Sequence, residues 1–92
     1  MSYVVRIPTP LQKFAEGAEN VACAAPNLAA LLVELTTRFP ELRDRICEPD
    51  GRARRFFNIY VNDEDIRFLG GPGYQFKEGD DVLILPSIAG GW

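Results

Sequence analysis

Ala25-Pro26-Asn27-Leu28-Ala29-Ala30-Leu31-Leu32-Val33-Glu34-Leu35-Thr36-Thr37-Arg38-Phe39-Pro40 is the one long helical stretch of this chain, and its place between two groups of strands decides the fold. Leu28, Leu31, Leu32, Leu35 and Phe39 recur at helical spacing and form a single apolar stripe. Glu34, Thr36, Thr37 and Arg38 fall mostly away from it. Pro26 favours a helix start, and Asn27 can accept a bond from a free N–H there. Pro40 stops the helix. A small domain must bury its only long helix to be stable, so the leucine stripe is core rather than a partner groove.

On the N-terminal side, Tyr3-Val4-Val5-Arg6-Ile7-Pro8 reads as a strand closed by Pro8 and Pro10. Thr9 to Gly17 is a connection with Leu11 and Phe14 tucked against the core. Asn20 to Ala24 is a weaker strand, hairpinned to the first across Glu16-Gly17-Ala18-Glu19. On the C-terminal side, Glu41 to Ile46 is a short turn with Leu42 and Ile46 facing inward. Glu48-Pro49-Asp50-Gly51 is a loop, and Arg52, Arg54 and Arg55 read as its solvated end. Phe56-Phe57-Asn58-Ile59-Tyr60-Val61 is the strongest strand. Asn62-Asp63-Glu64-Asp65 reads as a solvated turn without EF-hand spacing. Ile66-Arg67-Phe68 reads as a short fourth strand.

Leu69-Gly70-Gly71-Pro72-Gly73 is a glycine-rich surface loop without the Gly-Lys-Ser/Thr of a phosphate loop. Gly79-Asp80 then turns the chain into a last strand, Val82 to Leu85, read as buried. The order strand, strand, helix, strand, strand, strand predicts a two-layer α+β domain with a mixed sheet of about five strands on one helix. The first and last strands are its central pair. The helix stripe is expected against Val5, Ile7, Ile59, Val61, Leu83 and Leu85, or their alternating neighbours.

The chain has 92 residues, a net charge of −3 and no histidine. One domain follows from the length. The acidic balance argues against nucleic acid, which wants a basic surface. The missing histidine removes the commonest general base and metal ligand, so the chain is not expected to be an enzyme. Cys23 and Cys47 make neither a disulfide framework nor a metal motif, and no metal is expected. No apolar run is long enough for a membrane span. Met1 to Arg6 lack the pattern of a signal peptide, and the cytoplasm is the expected compartment.

Residues 1–86 are expected to form the folded domain and 87–92 a flexible tail, Ser87-Ile88-Ala89-Gly90-Gly91-Trp92. Pro86 has no N–H, so the strand ladder should end there. Gly90 and Gly91 give the chain its narrowest cross-section. Fully extended, the tail could reach ~20 Å, enough to carry a carboxylate into another protein's active site.

With these elements placed, the chain resembles the β-grasp, ubiquitin-like sulfur carriers. These include the small subunit of molybdopterin synthase, the thiamine-pathway carrier and the carrier that feeds cysteine synthesis. Asn58-Ile59-Tyr60-Val61-Asn62-Asp63-Glu64-Asp65-Ile66-Arg67, Ile7-Pro8-Thr9 and Leu85-Pro86-Ser87-Ile88-Ala89-Gly90-Gly91 look most like the cysteine-pathway carrier. The resemblance implies that a ubiquitin-activating-type adenylyltransferase uses ATP to adenylate the terminal carboxylate of Gly91. A sulfur donor then makes it a thiocarboxylate, which a sulfur-accepting biosynthetic enzyme consumes. No cofactor is bound by the carrier itself.

Ala89 and Gly90 are expected to thread the partner's tunnel. Trp92 stands where such carriers end at glycine, so its removal is expected, by a JAMM-type metalloprotease as in some relatives. The resemblance also implies docking through an apolar sheet face, with Phe56, Tyr60, Phe68, Leu69 and Ile88 as candidates that are each also candidates for the core. Two other readings stay open. A ubiquitin-like modifier would form isopeptide adducts through Gly91. A non-covalent β-grasp interaction module would work without Gly90 to Trp92.

Overall fold

The computed structural model describes residues 2–46 and 57–86. Cys47, the expected loop at Glu48 to Gly51, Arg52, Arg54, Arg55, Phe56 and the tail Ser87 to Trp92 lie outside them. The elements run β1 (Tyr3–Arg6), α1 (Thr9–Gln12), β2 (Asn20–Cys23), α2 (Leu28–Arg38), α3 (Arg43–Ile46), β3 (Phe57–Val61), β4 (Glu64–Asp65) and β5 (Asp81–Pro86). Short 3-10 turns follow α1, α2 and β4.

The strands form one five-stranded sheet in the order β2-β1-β5-β3-β4. β1 and β2 are antiparallel, β1 and β5 parallel, and β5 and β3 antiparallel. β5 therefore lies in the middle, hydrogen-bonded on both sides. The parallel pair is possible because the rest of the chain, α2 included, serves as the crossover between β1 and β5.

α2 starts where its cap is. Asn27 has extended backbone and its side-chain oxygen accepts from the Ala30 N–H at 3.0 Å. Replacing Asn27 by Ala is expected to lower stability by about 1 kcal/mol, read as a lower denaturant midpoint with an unchanged slope. Leu31, Leu32, Leu35 and Phe39 of the stripe are buried, and Leu28 is half-buried. They share one core with Val5, Ile7, Ile59, Val61, Val82 and Ile84. Leu42 and Ile46 close the core from the segment after α2.

The structure refines or corrects the sequence expectation at three places. The connection after β1 is partly helical, with Leu11 buried on α1 and Phe14 packed half-buried against the core. The fourth strand is Glu64–Asp65, and Ile66–Leu69 is a 3-10 turn. Asn62 and Asp63 both take positive φ, 52° and 71°, which closes a two-residue hairpin and pairs Glu64 and Asp65 directly with Val61 and Tyr60. The Asp65 side chain then accepts from the Arg67 N–H at 2.9 Å and turns the chain out of the strand. The last concerns the strand parity, which the sequence leaves open: Val82 and Ile84, the alternating neighbours of Leu83 and Leu85, face the helix. Val5 is fully buried and pairs with Val82, so the β1 register sets which side of β5 is inside.

Candidate functional site: the final strand and its open face

β5 is the element that leads to the diglycine. Its entry is built from backbone and one buried carboxylate. Gly79 takes φ +80° and its N–H bonds to the Ser2 carbonyl at 2.9 Å. Asp80 is buried. One oxygen accepts from the Asn62 amide at 3.0 Å. The other accepts from the Tyr74 hydroxyl at 2.8 Å and the Lys77 N–H at 2.9 Å. Burial works to raise the Asp80 pKa, but these donors and the Lys77 charge outweigh it and hold the carboxyl below its ordinary 3.8. Asn62 also accepts from the Asp81 N–H at 3.0 Å. The β3–β4 turn and the start of β5 are thereby locked together.

The face of the sheet away from α2 is open. Leu83 lies across from Tyr60 on one side and Arg6 on the other, and Leu85 lies across from Asn58. Val4 and Leu85 are 42% and 41% exposed, while Leu83 and Tyr60 are half-buried. An Arg6–Asp81 ion pair at 2.9 Å sits on the same face. The result is an apolar patch with a polar margin, running along the strand that ends at Pro86. Patches of this kind mark interaction sites.

Of the residues proposed from sequence, Tyr60 is part of this face. Phe68 is 78% exposed on the turn beyond β4. Leu69 packs half-buried against the core. Phe56, Ile88, Ala89, Gly90, Gly91 and Trp92 lie outside the described residues. Val4, Leu83 and Leu85 were missed. The signal was there: Arg6 must face water, so Val4 two residues before shares its side, and parallel pairing then assigns Leu83.

Beside Phe68, the Arg67 guanidinium clamps Asp65 at 2.7 Å. The hydrogen bonds from the Arg67 side chain and N–H hold the Asp65 carboxyl below its ordinary 3.8. Cys23 is buried and burial pushes its thiol up to about 11. It stays protonated at neutral pH and is a poor nucleophile. Among the described residues no cluster of metal-ligating side chains is found, and no helix is long and apolar enough to cross a membrane.

A mixed sheet in this order with one long helix across it is the ubiquitin-like β-grasp arrangement. The ThiS family matches residues 5–91, and the chain belongs to that family. The sulfur carrier protein CysO of Mycobacterium tuberculosis is 40% identical over 93 residues, covering 99% of this chain and 100% of that protein. A chain of the crystal structure of the Amycolatopsis orientalis BexX/CysO complex superposes with a TM-score of 0.82 at 35% identity, covering 97% of this chain and 99% of that one. The small archaeal modifier protein 1 of Methanosarcina acetivorans gives 0.84 at 26% identity, covering 98% and 96%. The family and the CysO relatives support a sulfur-carrier role. Such proteins are carriers and not enzymes.

Proposed function

We propose that the chain carries sulfur as a thiocarboxylate on Gly91 for a biosynthetic enzyme of cysteine or related sulfur metabolism. The observation that carries this is the extent of the family match. It takes in Gly90 and Gly91 and ends there, one residue short of Trp92. Hydrolysis of the Gly91–Trp92 peptide bond exposes the working carboxylate, a task suited to a JAMM-type metalloprotease.

A ubiquitin-activating-type adenylyltransferase then joins the Gly91 carboxylate to the AMP moiety of ATP, and pyrophosphate leaves. A carboxylate is a poor acyl donor until its oxygen can depart as AMP. A sulfur donor attacks the acyl carbon, the C–O bond breaks and a C–S bond forms. The thioacid is ionised at neutral pH and strongly nucleophilic. Residues 1–86 serve as the handle and 87–91, once Trp92 is removed, as the inserted tail.

Intact mass spectrometry tests the reading. The carrier form ends at Gly91 and gains about 16 Da as oxygen is replaced by sulfur. If Trp92 persists in the thiocarboxylated protein, the processing step is wrong. The modifier reading has one observation in its favour, the likeness to the archaeal modifier, and predicts Gly91–lysine adducts on other proteins instead.

The partner grips the open face of β5. BexX is seen in complex with a CysO, and a comparable acceptor is proposed here. Leu85→Asp is expected to leave the melting temperature within a degree or two, because Leu85 is 41% exposed. The same change should slow charging by the adenylyltransferase at least ~10-fold, since a buried unpaired charge at an interface costs well over 1.4 kcal/mol. Normal charging kinetics in this variant would rule the face out.

A further inference from the structure

Among the described residues β2 is an edge strand, and edge strands invite pairing with another chain. The usual protections are lysine, proline and bulges. Asn20-Val21-Ala22-Cys23 offers none of these. The other edge, β4, is only two residues long and has little ladder to offer. Glu19 bonds to Ile7 through its carbonyl at 2.8 Å, so the odd-numbered residues of β2 turn their backbone toward β1. Ala22 and Ala24 turn theirs outward.

These outward groups are occupied by two side chains of α2. Arg38 donates one nitrogen to the Ala22 carbonyl at 2.9 Å and the other to Glu34 at 2.9 Å. The second oxygen of Glu34 accepts from the Ala24 and Ala25 N–H groups at 3.2 and 3.0 Å. We infer that the Glu34–Arg38 pair is an edge guard, which keeps β2 from pairing antiparallel with β2 of a second copy of this chain.

Three features favour a second copy as the excluded occupant. Antiparallel pairing of a strand with itself satisfies two-fold symmetry, so each copy offers what the other needs. Asn20, Ala22 and Ala24 are exposed and uncharged, so their side chains do not oppose it. Every molecule in solution presents the same edge. The pair is also a weak candidate for fold stability. Both side chains are partly exposed, at 26% for Glu34 and 43% for Arg38, and such i,i+4 pairs add little. What the geometry adds beyond that pair is its set of bonds to the outward backbone of β2.

The test uses the full chain. In the wild-type protein, the Ala24 and Ala25 amides are expected to exchange with deuterium at least ~10-fold slower than in an unstructured peptide. Exchange at the unstructured rate would overturn the guard without any variant. The double variant Glu34→Ala/Arg38→Ala is expected to show a two-fold rise in mass over wild type at the same concentration, by sedimentation. An unchanged mass up to millimolar concentration overturns the proposal. Adding Ala22→Lys restores an ordinary edge protection at an exposed position, and the mass is expected to return to the wild-type value. A dimer that survives this third change forms elsewhere, and the inference fails.

Discussion

A Gly90→Val chain is expected to fold with an unchanged melting temperature and to take up sulfur at least ~100-fold more slowly, the scale on which small misplacements of reacting groups act. The substitution lies four residues past Pro86, the last residue of β5. A tail that must enter an adenylation site tolerates little width, and the branched Cβ of valine is the widest near the backbone. Valine also restricts the backbone where glycine leaves it free. Thiocarboxylate formed per minute, counted by intact mass on a chain ending at Gly91, reads the effect. Charging at the natural rate would mean that the tail is not threaded, and the carrier mechanism would fall with it. The interaction-module reading predicts that neither chain is charged.

Asp80→Asn should cost about 2–3 kcal/mol at pH 7, since a buried ion loses charge-assisted bonds and donors are left facing an amide N–H₂. Asn62 and the Lys77 N–H, with the Tyr74 hydroxyl, all point at this carboxylate. The pH dependence fixes the cause. The folded pKa of Asp80 lies below its ordinary 3.8, so the charged form is the one that the fold favours. Its contribution is complete above the unfolded pKa. It is lost as pH falls through the folded value. Urea titrations of both proteins should therefore show a gap at pH 7 that narrows as the pH falls below the ordinary carboxylate range. A gap of constant size across that range would show that shape, not charge, is at work.

The α2 stretch was readable because its periodicity, cap and stop agree with one another. Asn27, Leu31, Leu35 and Pro40 each do what their chemistry favours. Ile66-Arg67-Phe68 misled because β-branched and aromatic residues suggest a strand anywhere. The outcome depended on two neighbours, the left-handed Asn62-Asp63 pair and the Asp65 side chain that caps the turn. β5 was placed correctly, but which of its faces is inside stayed open. Val82-Leu83-Ile84-Leu85 is apolar on both sides, so this run by itself carries no parity. That information sits in β1, seventy-odd residues away, and becomes legible only through the register Val5↔Val82. The diglycine was legible for a different reason: its meaning is chemical and needs no packing to be recognised.

The position of β5 also bears on what happens when another molecule tugs on the chain beyond it. Ladder bonds run crosswise to the strands. A pull along β5 meets the β1 and β3 ladders in shear, so many bonds share the load at once. Were the same strand at the sheet margin, the same tension could unzip it one bond at a time. The body should thus withstand extraction of its terminus from a tight catalytic channel and remain intact for another round.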